Sequence, residues 1–120
     1  DAIKESIIPL KLTKSQEGFH YASEADMLNV VLFGMTAREW KKANPNSKGN
    51  IRDAATLEQL TVLANLESLN AELIKEGLPI HKRAQKLNKI ARDQLTTFLK
   101  NQQSLSSLKK LKGTNNNLLQ

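Results

Sequence analysis

Residues 56–76, TLEQLTVLANLESLNAELIKE, and residues 79–100, PIHKRAQKLNKIARDQLTTFLK, decide the fold. In the first, Leu57, Leu60, Val62, Leu63, Leu66, Leu69, Leu73 and Ile74 cover a wide arc of a helix, and Glu58, Glu72 and Glu76 gather on the other side. That spacing predicts the central helix of a core. In the second, Ile80, Ala84, Leu87, Ala91, Leu95 and Phe98 share one face, opposite Lys82, Lys86 and Lys89. Gly77 stops the first helix, Pro79 fits the first turn of the second, and the short connection around Leu78 forces the two to lie antiparallel.

Working toward the N-terminus, the stops and starts repeat. Thr56 with Gln59 reads as a capping box, as does Thr36 with Glu39, and Ser23 is a helix N-cap with Asp26 three residues on. Gly34 and Asn44-Pro45 close the helices that Ser23 and Thr36 open. β-branched residues are too scattered for alternating strands. The expected fold is therefore all-α, an irregular bundle of four to six helices with a C-terminal antiparallel helical hairpin.

The expected organisation is one helical domain over 1–112. Its parts are a lead-in at 1–21, short helices at 23–33 and 36–43, long helices at 57–76 and 80–100, and a short basic helix at 104–112. A frayed tail follows at 113–120. Within the lead-in, Asp1 to Ser6 opens a short helix that Pro9 stops, and residues 10–21 read as loop. The Ser23 and Thr36 helices are expected to pack across the hairpin, with Trp40 as a wedge between them and the long helices.

Composition narrows the function. A chain of 120 residues is one ordinary domain. It contains no cysteine, which excludes disulfides and thiolate metal sites and fits a reducing, cytoplasmic setting. No apolar run approaches the roughly 20 residues that cross a bilayer, so no membrane partner is expected. The chain begins at Asp1 rather than Met, which suggests a piece of a longer protein with its main activity upstream. Net charge is +6, unevenly spread: +2 over 1–52, −4 over 53–76 and +8 over 77–120. A basic pole of this kind attracts nucleic acid or an anionic surface, or balances an acidic neighbour in a helical pair.

Catalytic patterns are missing. His20 and His81 have no metal-ligand spacing, no serine sits in a nucleophile elbow, and the Gly49 turn lacks the spacing of a phosphate loop. Glu72 and Glu76 share a polar helix face and are expected to stay ionised. We therefore expect no enzyme, no cofactor, no metal and no small-molecule ligand. Lys82, Arg83, Lys86, Lys89 and Arg92 form the best candidate for nucleic-acid contact, against the alternative of a solvated face beside the acidic helix. Lys109, Lys110 and Lys112, interleaved with Leu105, Leu108 and Leu111, make a basic amphipathic end that either meets a partner or docks on the domain. Trp40 is either core or an interface anchor. In the loop 48–53, Gly49, Asn50, Arg52 and Asp53 are either partner contacts or turn chemistry, with Gly49 at positive φ, Asn50 capping the turn and Arg52 paired to Asp53 or Glu39.

One resemblance adds to this. YASEADMLNVVLFGMTAREW (21–40) and NPNSKGNIRDAATLEQLTVLANLESLNAELIKEGLP (44–79), with DAIKESIIP (1–9) before them, resemble the region that follows the KilA-N domain in phage-derived and bacterial proteins. The resemblance covers about residues 1–99. Its most specific part is Phe33-Gly34, Thr36-Ala37, Trp40, Asn44-Pro45 and Gly49-Asn50-Ile51-Arg52-Asp53. It implies the C-terminal partner domain of a DNA-binding protein whose named module lies upstream, so that DNA is a partner through the full-length protein. The expected role is protein–protein association, with a second copy or another protein, or positioning of that module. The alternative is direct non-specific nucleic-acid binding by the basic helix face.

Overall fold

The computed structural model describes residues 7–119, and side chains as far as Leu111. The expected helix at 1–6, residue 120 and the side chain of Lys112 lie outside the described residues. Among those described there are five helices and no strand: α1 Lys14–Glu17, α2 Glu24–Phe33, α3 Ala37–Ala43, α4 Leu57–Lys75 and α5 Ile80–Leu119. The all-α bundle is as expected.

The caps form as the sequence dictates. Ser23 Oγ accepts from the Asp26 amide at 3.1 Å, and Thr36 and Thr56 each complete a capping box with Glu39 and Gln59. Gly34 and Gly77, both at φ near +80°, end α2 and α4 in the left-handed conformation that a side chain would strain. The hairpin is antiparallel: Asn70 meets Arg83, Asn65 Nδ2 donates to Gln94 Oε1, and Gln102 Nε2 donates to Glu58 Oε1.

Four expectations need correction. First, the loop at 10–21 contains α1, because Thr13 and Gln16 make a capping box of their own. Second, the separate helices at 80–100 and 104–112 and the tail from 113 are one helix. No glycine or proline lies between Ile80 and Lys112 to end it, and Gly113 is carried inside. Third, α3 packs extensively on no other helix, and Trp40 is half-buried outside the core cluster. Arg38, Lys41 and Lys42 are exposed, which leaves this seven-residue helix too little apolar face to bury. Fourth, α4 is not buried across its full arc. Val62, Leu63, Leu66 and Leu73 are buried, whereas Leu57, Leu60, Leu69 and Ile74 are exposed, because among the described residues α2 and α5 are the helices that pack extensively on this one and they cover part of its circumference.

The core lies where α2 fills the angle between α4 and α5. Met27, Val31 and Leu32 of α2 meet Val62 and Leu66 of α4 and Leu87, Ala91 and Leu95 of α5, all essentially without exposure. Each such large side chain stabilises the fold by about 1.5–3 kcal/mol. At its centre is a polar residue, Asn88. Its Nδ2 donates to the Leu10 carbonyl at 3.1 Å and to the Val31 carbonyl at 3.0 Å, and its Oδ1 accepts from Arg92 Nε at 3.1 Å. The Val31 carbonyl belongs to the last turn of α2, where carbonyls have no partner within the helix.

α5 outruns the bundle. Forty residues at about 1.5 Å each make a rod of roughly 60 Å, in accord with a longest dimension of 62 Å. The radius of gyration is 17.8 Å, against about 14 Å for a compact chain of this length. Beyond Gln102, level with the start of α4, α5 continues as an arm of roughly 26 Å.

Replacing Asn88 by Leu strands the buried Val31 carbonyl and removes the protein partner of the Leu10 carbonyl and of Arg92. We expect a loss of about 3 kcal/mol, read by denaturant unfolding, and an Asn88→Leu protein as stable as the parent would contradict this account of the core.

Candidate functional site

The basic face of α5 was the leading candidate, and the structure thins it. Arg83 does not face solvent. It is 7% exposed, and its Nε donates to the Leu78 carbonyl at 2.8 Å. Its Nη1 donates to Glu24 Oε1 at 2.5 Å and to Asn70 Oδ1 at 2.8 Å, and Asn70 Nδ2 in turn donates to Glu24. This three-residue cluster ties the start of α2 to both arms of the hairpin. Arg83 is structural, because its guanidinium fork is spent on a carboxylate, an amide and a carbonyl.

Arg92 is half-buried and directed to Asn88. Lys89 is exposed and pairs with Asp93 at 3.4 Å, a contact worth little in water. Lys82 and Lys86 are exposed. Lys100 is exposed too and continues the outward row, since positions 82, 89 and 100 repeat at multiples of the helical turn. Sequence reading passed over Lys100 although the same spacing marked it. The outward row is therefore Lys82, Lys86, Lys89 and Lys100.

The loop at 48–53 closes on itself. Gly49 has φ +89°, and a Cβ there would lie 2.3 Å from Asp53 Oδ2. That carboxylate accepts from the Asn50 amide at 2.8 Å, while Asn50 Oδ1 accepts from the Arg52 and Asp53 amides. Lys41 Nζ donates to the Ser47 and Gly49 carbonyls. Gly49, Asn50 and Asp53 thus make a turn, as the structural alternative had it. Arg52 is exposed and pairs with neither Asp53 nor Glu39, whose carboxylates are bound to the Asn50 and Thr36 amides.

The arm is the remaining candidate. Leu105, Leu108 and Leu111 are each more than half exposed, and Lys109 and Lys110 are exposed beside them. They do not dock on the domain. Among the described residues no group of three or more His, Cys, Asp and Glu side chains is placed to hold a metal ion, and no helix is long and apolar enough to cross a membrane. His20 and His81 are exposed and far apart in the chain. An open cleft of about 270 Å³ lies along the α4–α5 seam between Asn65 and Phe98.

No family model, no curated protein and no solved structure matches this chain.

The Arg83 cluster has a pH signature. The hydrogen bond from Arg83, more than the Asn70 amide or the Arg83 charge, holds the Glu24 carboxyl below its ordinary value of 4.5, and desolvation opposes this. A carboxylate depressed in the folded state stabilises fully above its unfolded pKa and loses that contribution as pH falls through the folded one. The melting temperature is expected to fall on acidification below about pH 4.5, and Glu24→Gln to lose part of that dependence; an unchanged acid limb in the variant would dissociate Glu24 from it.

Proposed function

We propose that this chain is a non-enzymatic association domain of a KilA-N-type, DNA-associated cytoplasmic protein, and that by bringing copies or partners together it positions a DNA-binding module upstream. The observation that carries the reading is the arm. A bundle that has buried its own core holds out a helix whose leucines cover nothing, and exposed apolar side chains repeated along a helix are what a helical partner buries. The turn at 48–53 and the capping boxes, which carry the quoted resemblance, are scaffolding in this view. The chemistry is contact and placement, with DNA reached through the full-length protein.

A second reading draws on the outward row of Lys82, Lys86, Lys89 and Lys100. Four exposed cations along one rigid helix suit phosphates, which position a duplex without reading its sequence, so the binding would be non-specific.

For the first reading, we expect light scattering to give the intact chain a mass above one copy at high concentration. A chain ending at Gln102 should keep its cooperative unfolding and fall to a single copy. A single-copy mass for the intact chain throughout would overturn its self-association form. For the second, duplex binding should lose about 0.9 from its salt slope for each phosphate contact removed by reversing Lys82, Lys86 or Lys89 to Glu. Binding that ignores those reversals would reject it.

A further inference from the structure

We infer that the arm's landing place is α4 of a second copy of this chain, the two copies exchanging arms about a twofold axis; this rests on the association reading above. α4 carries a seam of its own. Leu57, Leu60, Ala64, Glu67, Ala71 and Ile74 follow one another at alternating steps of three and four, the spacing of a coiled-coil face, and all six are exposed. α2 and α5 bury the other side of the helix, so this seam is left without a partner. The alanines at 64 and 71 let a second helix approach closely.

Charge selects the pairing. Residues 103–119 hold three lysines and no acid, whereas α4 holds Glu58, Glu67 and Glu72 against one lysine. Arm against arm sets lysines beside lysines, and α4 against α4 sets glutamates beside glutamates. Arm against α4 joins opposite charges and covers leucines on both sides. The lengths agree as well: the seam from Leu57 to Ile74 and the arm beyond Gln102 each span roughly 26 Å.

The geometry gives a direction. The start of α4 lies beside the arm's root, through the bond from Gln102 to Glu58. A twofold axis near Ser104 therefore lays each arm parallel to the partner's α4. Leu105 then comes level with Leu57, Leu108 with Leu60 and Leu111 with the turn that holds Ala64, and Lys109 and Lys110 lie within two turns of Glu67. Such an exchange closes on itself and makes the same contact twice, so the assembly stops at two.

The test uses the whole chain. Analytical ultracentrifugation should show a dimer that Leu108→Asp and Leu60→Asp each weaken about tenfold or more. Leu108 stands on the open arm, so the monomer's circular dichroism and melting should hold in Leu108→Asp. Leu60 is 38% exposed, and Leu57→Asp, on the same seam at a side chain 76% exposed, should weaken the dimer while leaving the monomer's melting unchanged. Glu67→Lys should weaken the dimer, and mixing it with a Lys109→Glu/Lys110→Glu chain should restore a mixed one. Because the chain lacks cysteine, Ala64→Cys and Leu111→Cys chains, mixed and oxidised, should form a mixed disulfide dimer in preference to either like pair. A dimer weakened by Leu108→Asp but indifferent to Leu60→Asp and Glu67→Lys would put arm against arm, overturning the landing place while leaving the association reading intact. A chain that stays monomeric removes the landing place together with the self-association form of that reading.

Discussion

A helix buried on most of its surface has to satisfy its polar ends inside the protein, and that demand organises this structure. Six of the ten residues of α2 are buried. Its first turn is held through Glu24, and the carbonyl of Val31 near its last turn is held by an amide. Both partners, Arg83 and Asn88, come from one short stretch of α5. The two contacts run in the same order along both helices, so α2 lies parallel to α5 and its place along the hairpin is set at two points. Unpaired, the buried Arg83 guanidinium and the buried Val31 carbonyl would each cost more than an ordinary hydrogen bond contributes. Among the described residues a local cost remains at Asn29, whose Oδ1 is buried and has no hydrogen-bond partner.

The helices were readable because their signals are local. A threonine with Glu or Gln three residues on, or a glycine that must take positive φ, acts within one turn of the chain, and Thr36, Thr56, Gly34 and Gly77 all did so. Thr13 with Gln16 carried the same signal and was hidden only by the absence of any apolar face after it. What sequence reading missed depends on distance. Nothing near Arg83 in the chain announces Glu24, and a cation among apolar residues looks like any surface lysine. The clue lay in Asn70 and Asn88, which fall beside Leu73 and Leu87 on apolar faces and so require polar company. The leucine count of α4 likewise could not say which residues would be covered, because that depends on how many neighbours the helix has.

The same facts move the weight of the functional argument from one end of α5 to the other. Its basic content is high, yet one arginine secures the core, another leans on Asn88, and one lysine faces an aspartate. Farther along, three leucines stand clear of the bundle. Electrostatics then acts between helices more than toward solvent: an acidic α4 and a basic arm make a chain that is complementary to itself without being complementary to its own position. A fold of this shape has a natural division of labour. The wedge of α2 holds the hairpin rigid, and rigidity is what lets a projecting helix keep a fixed direction.

The chain's one tryptophan sits on the helix that the bundle leaves aside. An indole in the core would report loss of the core. Trp40, half-buried on α3, instead reports on a peripheral turn held by Thr36, Glu39 and Asn44. Intrinsic fluorescence and far-ultraviolet ellipticity therefore watch different parts of this molecule. Agreement between the two transitions would mean that the α3 segment melts with the bundle as one cooperative unit. An earlier shift in emission would mark that segment as a separate, weaker unit able to open while the hairpin stays intact.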